Sequence, residues 1–112
     1  MRELSKGDMP VIILEILDRQ PCHGYAIARE IERQSEQVLQ LREGSLYPAL
    51  RVLEKDGLIQ GDWEIQSSGP ARKIYHLTAE GKTELKQRKQ AWQAYTQLII
   101  RILGDDNAKN TA

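Results

Sequence analysis

One predicted helix begins with hydroxyl, aromatic and cationic side chains. Ser45, Tyr47 and Arg51 come at the start of an apolar-periodic stretch but off its leucine stripe, and Pro48 stands among them. Arginine can bind guanine through two hydrogen bonds, whereas tyrosine and serine can bind phosphate or bases. These four residues are therefore candidates for DNA contact. In the alternative interpretation, Ser45 only caps the helix and Tyr47 only packs.

Two other pairs of residues could contact phosphate. Arg72 and Lys73 follow the turn-rich tip of a predicted hairpin, where adjacent cations can neutralise phosphates. His23 and Tyr25 open another predicted helix, whose first N–H groups can bind a backbone phosphate. The alternatives are a solvated cationic pair in the hairpin, and a histidine cap beside a buried tyrosine in the helix.

Other reactive chemistry is scarce in the sequence. Cys22 would serve as a redox-sensing thiol if a helix start lowered its pKa, and is otherwise a small packing residue. One cysteine and two distant histidines give no zinc-ligand spacing. The sequence contains no nucleophile elbow, no phosphate-binding glycine loop and no paired carboxylates near a histidine. We therefore expect neither an enzyme nor a metal or cofactor site.

Apolar periodicity predicts two helices and a short strand in the first part of the chain. The first helix covers residues 9–19, is apolar nearly all round, and follows Asp8, whose side chain is expected to accept from its free N–H groups. The second covers about 23–34 with a period close to 3.6. Residues 38–41 have the pattern of a short strand.

A third helix is predicted over about 45–56, with a stop at Gly57. Pro48 lacks an N–H group and conflicts with a helix interior. The conflict disappears if the helix begins at or just before Ser45, because Pro48 then lies in the first turn, where N–H groups have no helical partner.

The final part of the chain predicts a hairpin and one long helix. Residues 63–66 and 74–77 alternate with a period of two around a turn-rich tip at 67–71. Thr78 then caps a helix at about 79–103, which would be roughly 38 Å long. This length and the heptad-like spacing of its apolar residues predict a seam that meets a partner chain through Leu85, Trp92, Leu98, Ile99 and Ile102, with Tyr95 interleaved.

Composition bounds these interpretations. The 112 residues suit one domain, and 16 Lys+Arg balance 16 Asp+Glu, so the net charge is zero. A DNA-binding face would therefore need local clustering of cations. No apolar stretch reaches the ~18 residues of a membrane span, and the first residues show no signal-peptide pattern. A single cysteine fits a reduced cytoplasm, where we expect the protein to act.

The order of three helices and a hairpin is that of a winged helix-turn-helix, whose third helix enters the major groove and whose hairpin is the wing. Four segments then resemble the PadR family of transcriptional regulators in both order and spacing. They cover most of residues 9–81 and read LDRQPCHGYAI at 17–27, GSLYPAL and LEKDGLI at 44–50 and 53–59, and GPARKIYHLTAEG at 69–81.

The single C-terminal helix resembles the small subclass of that family, in which this helix forms the homodimer. In some members of the subclass, which sense multiple drugs, a tryptophan of this helix and its symmetry mate sandwich planar aromatic ligands. The resemblance implies that Trp92 is such a platform, with Tyr95 one turn away. The alternative is plain packing of these aromatic residues in the interface.

We therefore expect a mainly α, α+β fold with a winged helix-turn-helix at 1–77, a dimerisation helix at 78–103 and a flexible tail at 104–112. The expected function is that of a homodimeric repressor that binds double-stranded operator DNA and is relieved by a planar aromatic ligand. Two alternatives remain: a winged-helix module for protein–protein interaction, and a redox-responsive DNA binder that uses Cys22.

Overall fold

Three helices and a hairpin enclose an apolar core, and a fourth helix projects from it. The computed structural model describes residues 2–104. Its elements in chain order are β1 (Arg2–Glu3), α1 (Met9–Arg19), β2 (Cys22–His23), α2 (Gly24–Gln34), β3 (Leu39–Gln40), α3 (Glu43–Lys55), β4 (Ile59–Glu64), β5 (Arg72–Leu77) and α4 (Ala79–Leu103). Of the predicted tail, residues 105–112 lie outside the described residues. Among the residues described, no helix is both long and apolar enough to cross a bilayer.

The predicted bounds of the first and last helices are confirmed, but the cap of α1 differs from the expectation. Asp8 has helical backbone angles (φ −89°, ψ −17°) and its side chain accepts no hydrogen bond from α1. A capping side chain normally extends from β-region backbone, which explains the difference. Ser5 instead donates from Oγ to Asp8 Oδ2 (2.8 Å) and accepts from the Asp8 N–H (3.2 Å).

The third helix begins at Glu43, two residues earlier than predicted, so Pro48 lies in its second turn. Pro48 cannot donate to the carbonyl of Gly44, which is exposed and can be solvated instead. The helix continues through this gap because one stripe of its surface is buried in the core, formed by Leu46, Leu50 and Leu53.

A three-stranded sheet, in the order β2-β5-β4, connects the start of α2 to the hairpin. Both strand pairs are antiparallel, and Cys22 lies opposite Tyr75. A separate pair, β1 and β3, is parallel. The sequence did not predict β1 or β2, because two-residue strands carry no measurable periodicity. The added strand β2 places the beginning of α2 beside the wing, which is the hairpin formed by β4 and β5.

The core takes side chains from α1, α2, α3 and the hairpin, and also from the first half of α4. Leu85 is only 4% exposed within its own chain. The expectation that Leu85 contacts a partner chain is therefore corrected: α4 first packs along α1, and its large exposed apolar residues begin at Trp92.

Close packing at the start of α4 gives a stability prediction. A Cβ atom added to Gly81 would overlap the backbone carbonyl oxygen of Leu58, whereas one added to Gly44 would meet nothing within 4 Å. We expect Gly81→Ala to lower the free energy of unfolding by about 1–3 kcal/mol, because backbone cannot move aside as a side chain can. Gly44→Ala, the matched control in α3, should leave it unchanged or raise it by up to ~1 kcal/mol. Urea denaturation measures the free energy of unfolding of both variants. Equal effects of the two substitutions would contradict the close approach of Gly81 to the Leu58 carbonyl.

Candidate nucleic-acid interface

A cleft of about 540 Å³ lies between the start of α2, the first turns of α3 and the wing. We call it the basic cleft, because the described residues that line it include three cationic side chains and no carboxylate. The chain is neutral overall, so this is the local clustering that DNA binding requires. The lining consists of His23, Gly24, Tyr25, Tyr47, Arg51, Trp63, Ala71, Arg72, Lys73 and Tyr75.

The outward face of α3 presents several of the predicted DNA contacts. Tyr47, Pro48 and Arg51 are exposed, whereas Ser45 is half-buried and does not line the basic cleft. Tyr47 lies against the start of α2, since a Cβ on Gly24 would come within 2.9 Å of Tyr47 Cε1. The missing side chain at Gly24 therefore lets the two helices approach closely at the cleft.

His23 and Arg72 bring two hydrogen-bond donors together. Nδ1 of His23 accepts from the N–H of Ala26 (3.3 Å) and caps α2. In a neutral ring with this cap, the proton is on Nε2, which lies 3.1 Å from Arg72 Nη1. Arginine only donates, so two N–H groups face one another at the N-terminus of a helix. An anionic oxygen beside them would accept from both, and this arrangement favours phosphate.

Tyr25 is exposed, so the alternative interpretation of a buried tyrosine is wrong. Its ring stacks beside His23 with centroids 6.5 Å apart. Arg29 donates from Nη1 to its hydroxyl (2.9 Å), which holds the tyrosine on the outer side of α2. Contacts with neighbouring residues of α2 and its cap therefore hold the Tyr25 ring in place at the basic cleft.

Lys73 is engaged within the chain. Its Nζ donates to Glu54 Oε1 (2.9 Å), and the other carboxylate oxygen of Glu54 accepts from the N–H of Gly61 (3.1 Å). The hydrogen bond with Lys73 lowers the pKa of Glu54 and raises the pKa of Lys73. This carboxylate ties α3 to both strands of the wing. The predicted phosphate contact by Lys73 would require breaking the pair, which makes Arg72 the freer cation of the wing.

A second cavity, of about 750 Å³, lies at the other end of α2. We call it the inner cavity; it is bounded by α1, the C-terminal end of α2, strands β1 and β3, and α4. Trp92 lines it and is half exposed, whereas Tyr95 does not line it. Lys89 donates to Glu15 across its wall (2.6 Å), and this hydrogen bond lowers the pKa of Glu15.

The C-terminal third of α4 carries large apolar residues over more than half of its circumference and extends beyond the core, whereas Gln97 and Arg101 lie one turn apart on the remaining side. In the single chain Leu98 and Ile102 are exposed and Ile99 is half-buried. This exposure is expected if a partner chain covers these residues in the predicted seam. Leu103, one turn after Ile99, is also exposed on the seam, and Ile100 is exposed at its edge. Because Ile100 extends the exposed apolar face, that face is wider than the sequence indicated.

The Cys22 thiol is half-buried in β2, and burial raises its pKa. A redox-sensing cysteine needs a lowered pKa, because the thiolate is the reactive form. Its position therefore favours the packing role over the sensing role.

Known proteins resemble this chain over nearly its whole described length. The sequence profile of the transcriptional regulator PadR-like family matches residues 13–87. The transcriptional regulator Rv3488 of Mycobacterium tuberculosis is 30% identical over 93% of this chain and 91% of its own. A PadR family transcription regulator from Clostridium difficile is 38% identical with a TM-score of 0.76, over 88% of this chain and 100% of that one. A transcriptional regulator from Clostridium thermocellum has a TM-score of 0.82 at 27% identity, over 88% of this chain and 93% of that one.

Proposed function

This chain belongs to the PadR-like family of transcriptional regulators, and on that premise we propose that it is a homodimeric, sequence-specific DNA-binding repressor relieved by a small aromatic ligand. Its function class is regulation of transcription rather than catalysis. In this proposal the protein acts in the cytoplasm on double-stranded operator DNA.

The basic cleft is the observation that carries the DNA-binding part of the proposal. The N-terminal residues of a recognition helix reach base edges, and Tyr47, Pro48 and Arg51 stand on the exposed face of those turns. Arg72 and His23 supply donors for a phosphate at the edge of the cleft. In the proposal Tyr25 and Lys73 flank the DNA, and the half-buried Ser45 contacts it at the edge of the cleft.

The exposed apolar end of α4 supports the homodimer. We assign 78–103 as the dimerisation helix, anchored by its first turns on the core and paired with its symmetry mate through Trp92, Leu98, Ile99 and Ile102. Two copies then present two α3 helices to successive major grooves, ~34–36 Å apart.

The inner cavity supports the ligand part of the proposal. Its wall includes Trp92 and apolar residues of α1, and Trp92 is half exposed on the helix that would pair with the partner's. The C-terminal end of α2 lines this cavity, while its N-terminal end lines the basic cleft. A ligand that binds one position of α2 better than the other would therefore change the DNA-binding end.

Selection from random DNA tests the DNA-binding part, because it works for an operator of any sequence. Wild-type protein selects duplexes from a random pool, and the bound duplexes are sequenced after several rounds. The proposal predicts enrichment of an inverted repeat with half-sites one helical turn apart. If the selected duplexes share no sequence, or carry a single half-site, the interpretation as a homodimeric operator-binding protein is wrong. The alternative of a protein–protein module would then be favoured.

Trp92→Ala gives a prediction for the ligand. We expect affinity for a planar aromatic dye to fall about tenfold or more, because one face of the stack is lost. Light scattering should still report a dimer, since three apolar residues of the seam remain. In the wild-type protein, operator DNA should lower dye affinity by the same factor as the dye lowers operator affinity. Dye binding that leaves operator affinity unchanged would contradict relief by ligand.

A further inference from the structure

The wing carries an exposed tryptophan that does not pack in the core of the chain. Trp63 is 71% exposed, although Trp is among the side chains with the most apolar surface to bury. It contributes nothing to the core, whose contribution from β4 is Ile59. A single exposed apolar residue needs no explanation by itself, but the position of this one is specific.

Trp63 stands on the face of the wing that looks into the basic cleft. Side chains alternate along a strand, so Trp63 shares a face with Gly61 and Ile59, and Lys73 is its partner across the ladder. Trp63 lines the cleft together with Arg51 and Arg72. The cleft therefore ends in a flat apolar ring with an N–H donor, bordered by cations.

We propose that Trp63 contacts the sugar–phosphate backbone of the bound DNA. The ring packs on a deoxyribose next to the groove that α3 enters, and the indole N–H donates to the adjoining phosphate. The cationic side chains that line the cleft attract the phosphates of the same DNA strand. Because their positive charge complements the negative charge of the phosphates, we assign DNA rather than a protein as the occupant. The contact is independent of base sequence. It rests on the proposed function, since it requires that DNA occupies the cleft.

Fluorescence tests the contact directly, because the chain has only two tryptophans. In Trp92→Phe, Trp63 is the only tryptophan. Adding operator DNA should shift its emission and protect it from acrylamide at the same protein-to-DNA ratio at which the anisotropy of labelled DNA saturates. Saturating anisotropy with unchanged quenching of Trp63 would overturn this inference alone. No anisotropy change of any labelled DNA with the wild-type protein would overturn the proposed function as well.

Substitutions test what Trp63 contacts. Trp63→Ala should lower affinity about 5- to 30-fold for operator and scrambled DNA alike, without changing the salt dependence, because no charge is removed. Trp63→Phe keeps the ring and loses the donor, so its affinity should fall between those of wild type and Trp63→Ala. Ile65→Ala is the matched control: Ile65 is an exposed apolar residue of the same hairpin that does not line the cleft, and its replacement should change nothing. A loss confined to operator DNA, or an equal loss in Ile65→Ala, would overturn the backbone contact.

Discussion

Ile102→Glu is expected to convert the dimer to a monomer and to lower operator affinity by about 100- to 10,000-fold. The second half-site is bound at the high effective concentration set by the dimer, and the monomer loses that advantage. Ile102 is 79% exposed in the single chain, so the substitution should leave the fold of the protomer intact. In the dimer the new carboxylate would be buried without a partner, which costs several kcal/mol.

Light scattering and anisotropy of labelled operator measure the two effects on the same sample. Gln97→Glu is the matched control, because it adds the same charge to an exposed position of α4 that lies off the heptad positions of Trp92 and Ile99. The control should remain dimeric and bind normally. A monomer that binds operator as tightly as wild type, or a dimer that survives Ile102→Glu, would show that α4 does not form the interface.

Arg51→Ala is expected to lower operator affinity by about 5- to 150-fold per half-site. The ratio of the affinity for operator DNA to the affinity for scrambled DNA should fall as well. The reason is that a bidentate arginine–base contact contributes roughly 1–3 kcal/mol of discrimination. Arg51 is exposed on α3 and lines the basic cleft, so its loss should not change stability.

Lys55→Ala is the control for Arg51→Ala, since it removes the same charge from the exposed surface at the other end of α3. Recognition helices contact bases through their N-terminal residues, so Lys55→Ala should change both affinities slightly and their ratio not at all. If the two variants had the same effect on the ratio, α3 would not read the DNA as a recognition helix does.

The sequence predicted those elements whose periodicity extends over many residues. Helices α1 and α4 have the predicted bounds, and the hairpin lies where the period changes to two. The predicted start of α3 is two residues too late, because a proline normally favours the first turn of a helix. In this chain the buried leucine stripe outweighs one missing hydrogen bond. The heptad-like spacing likewise could not show that Leu85 is buried in its own chain while Ile102 remains exposed.

The candidate site could be predicted by residue type but not by geometry. One cleft is lined by the motif residues at 23–25 and 72–73 together with Tyr47 and Arg51, whereas Ser45 and Pro48 lie outside its lining. The pairing of Lys73 with Glu54 joins residues 19 positions apart and has no local signal. The sequence predicted that Trp63 belongs to an alternating strand but not that it lines the cleft. A period of two does not show which face of a hairpin is covered.

The most direct test of DNA recognition by the basic cleft is the anisotropy of labelled DNA, either from the region upstream of this gene or with the selected operator sequence. The DNA is titrated at several salt concentrations against scrambled competitor. A neutral protein with a basic cleft should bind with a Kd of about 10⁻⁸ M or below at physiological salt. Its log affinity should fall linearly with log salt, and Arg72→Ala should reduce that slope by about one. Weak, competitor-sensitive binding with little salt dependence would contradict DNA recognition and favour a winged-helix module that binds protein.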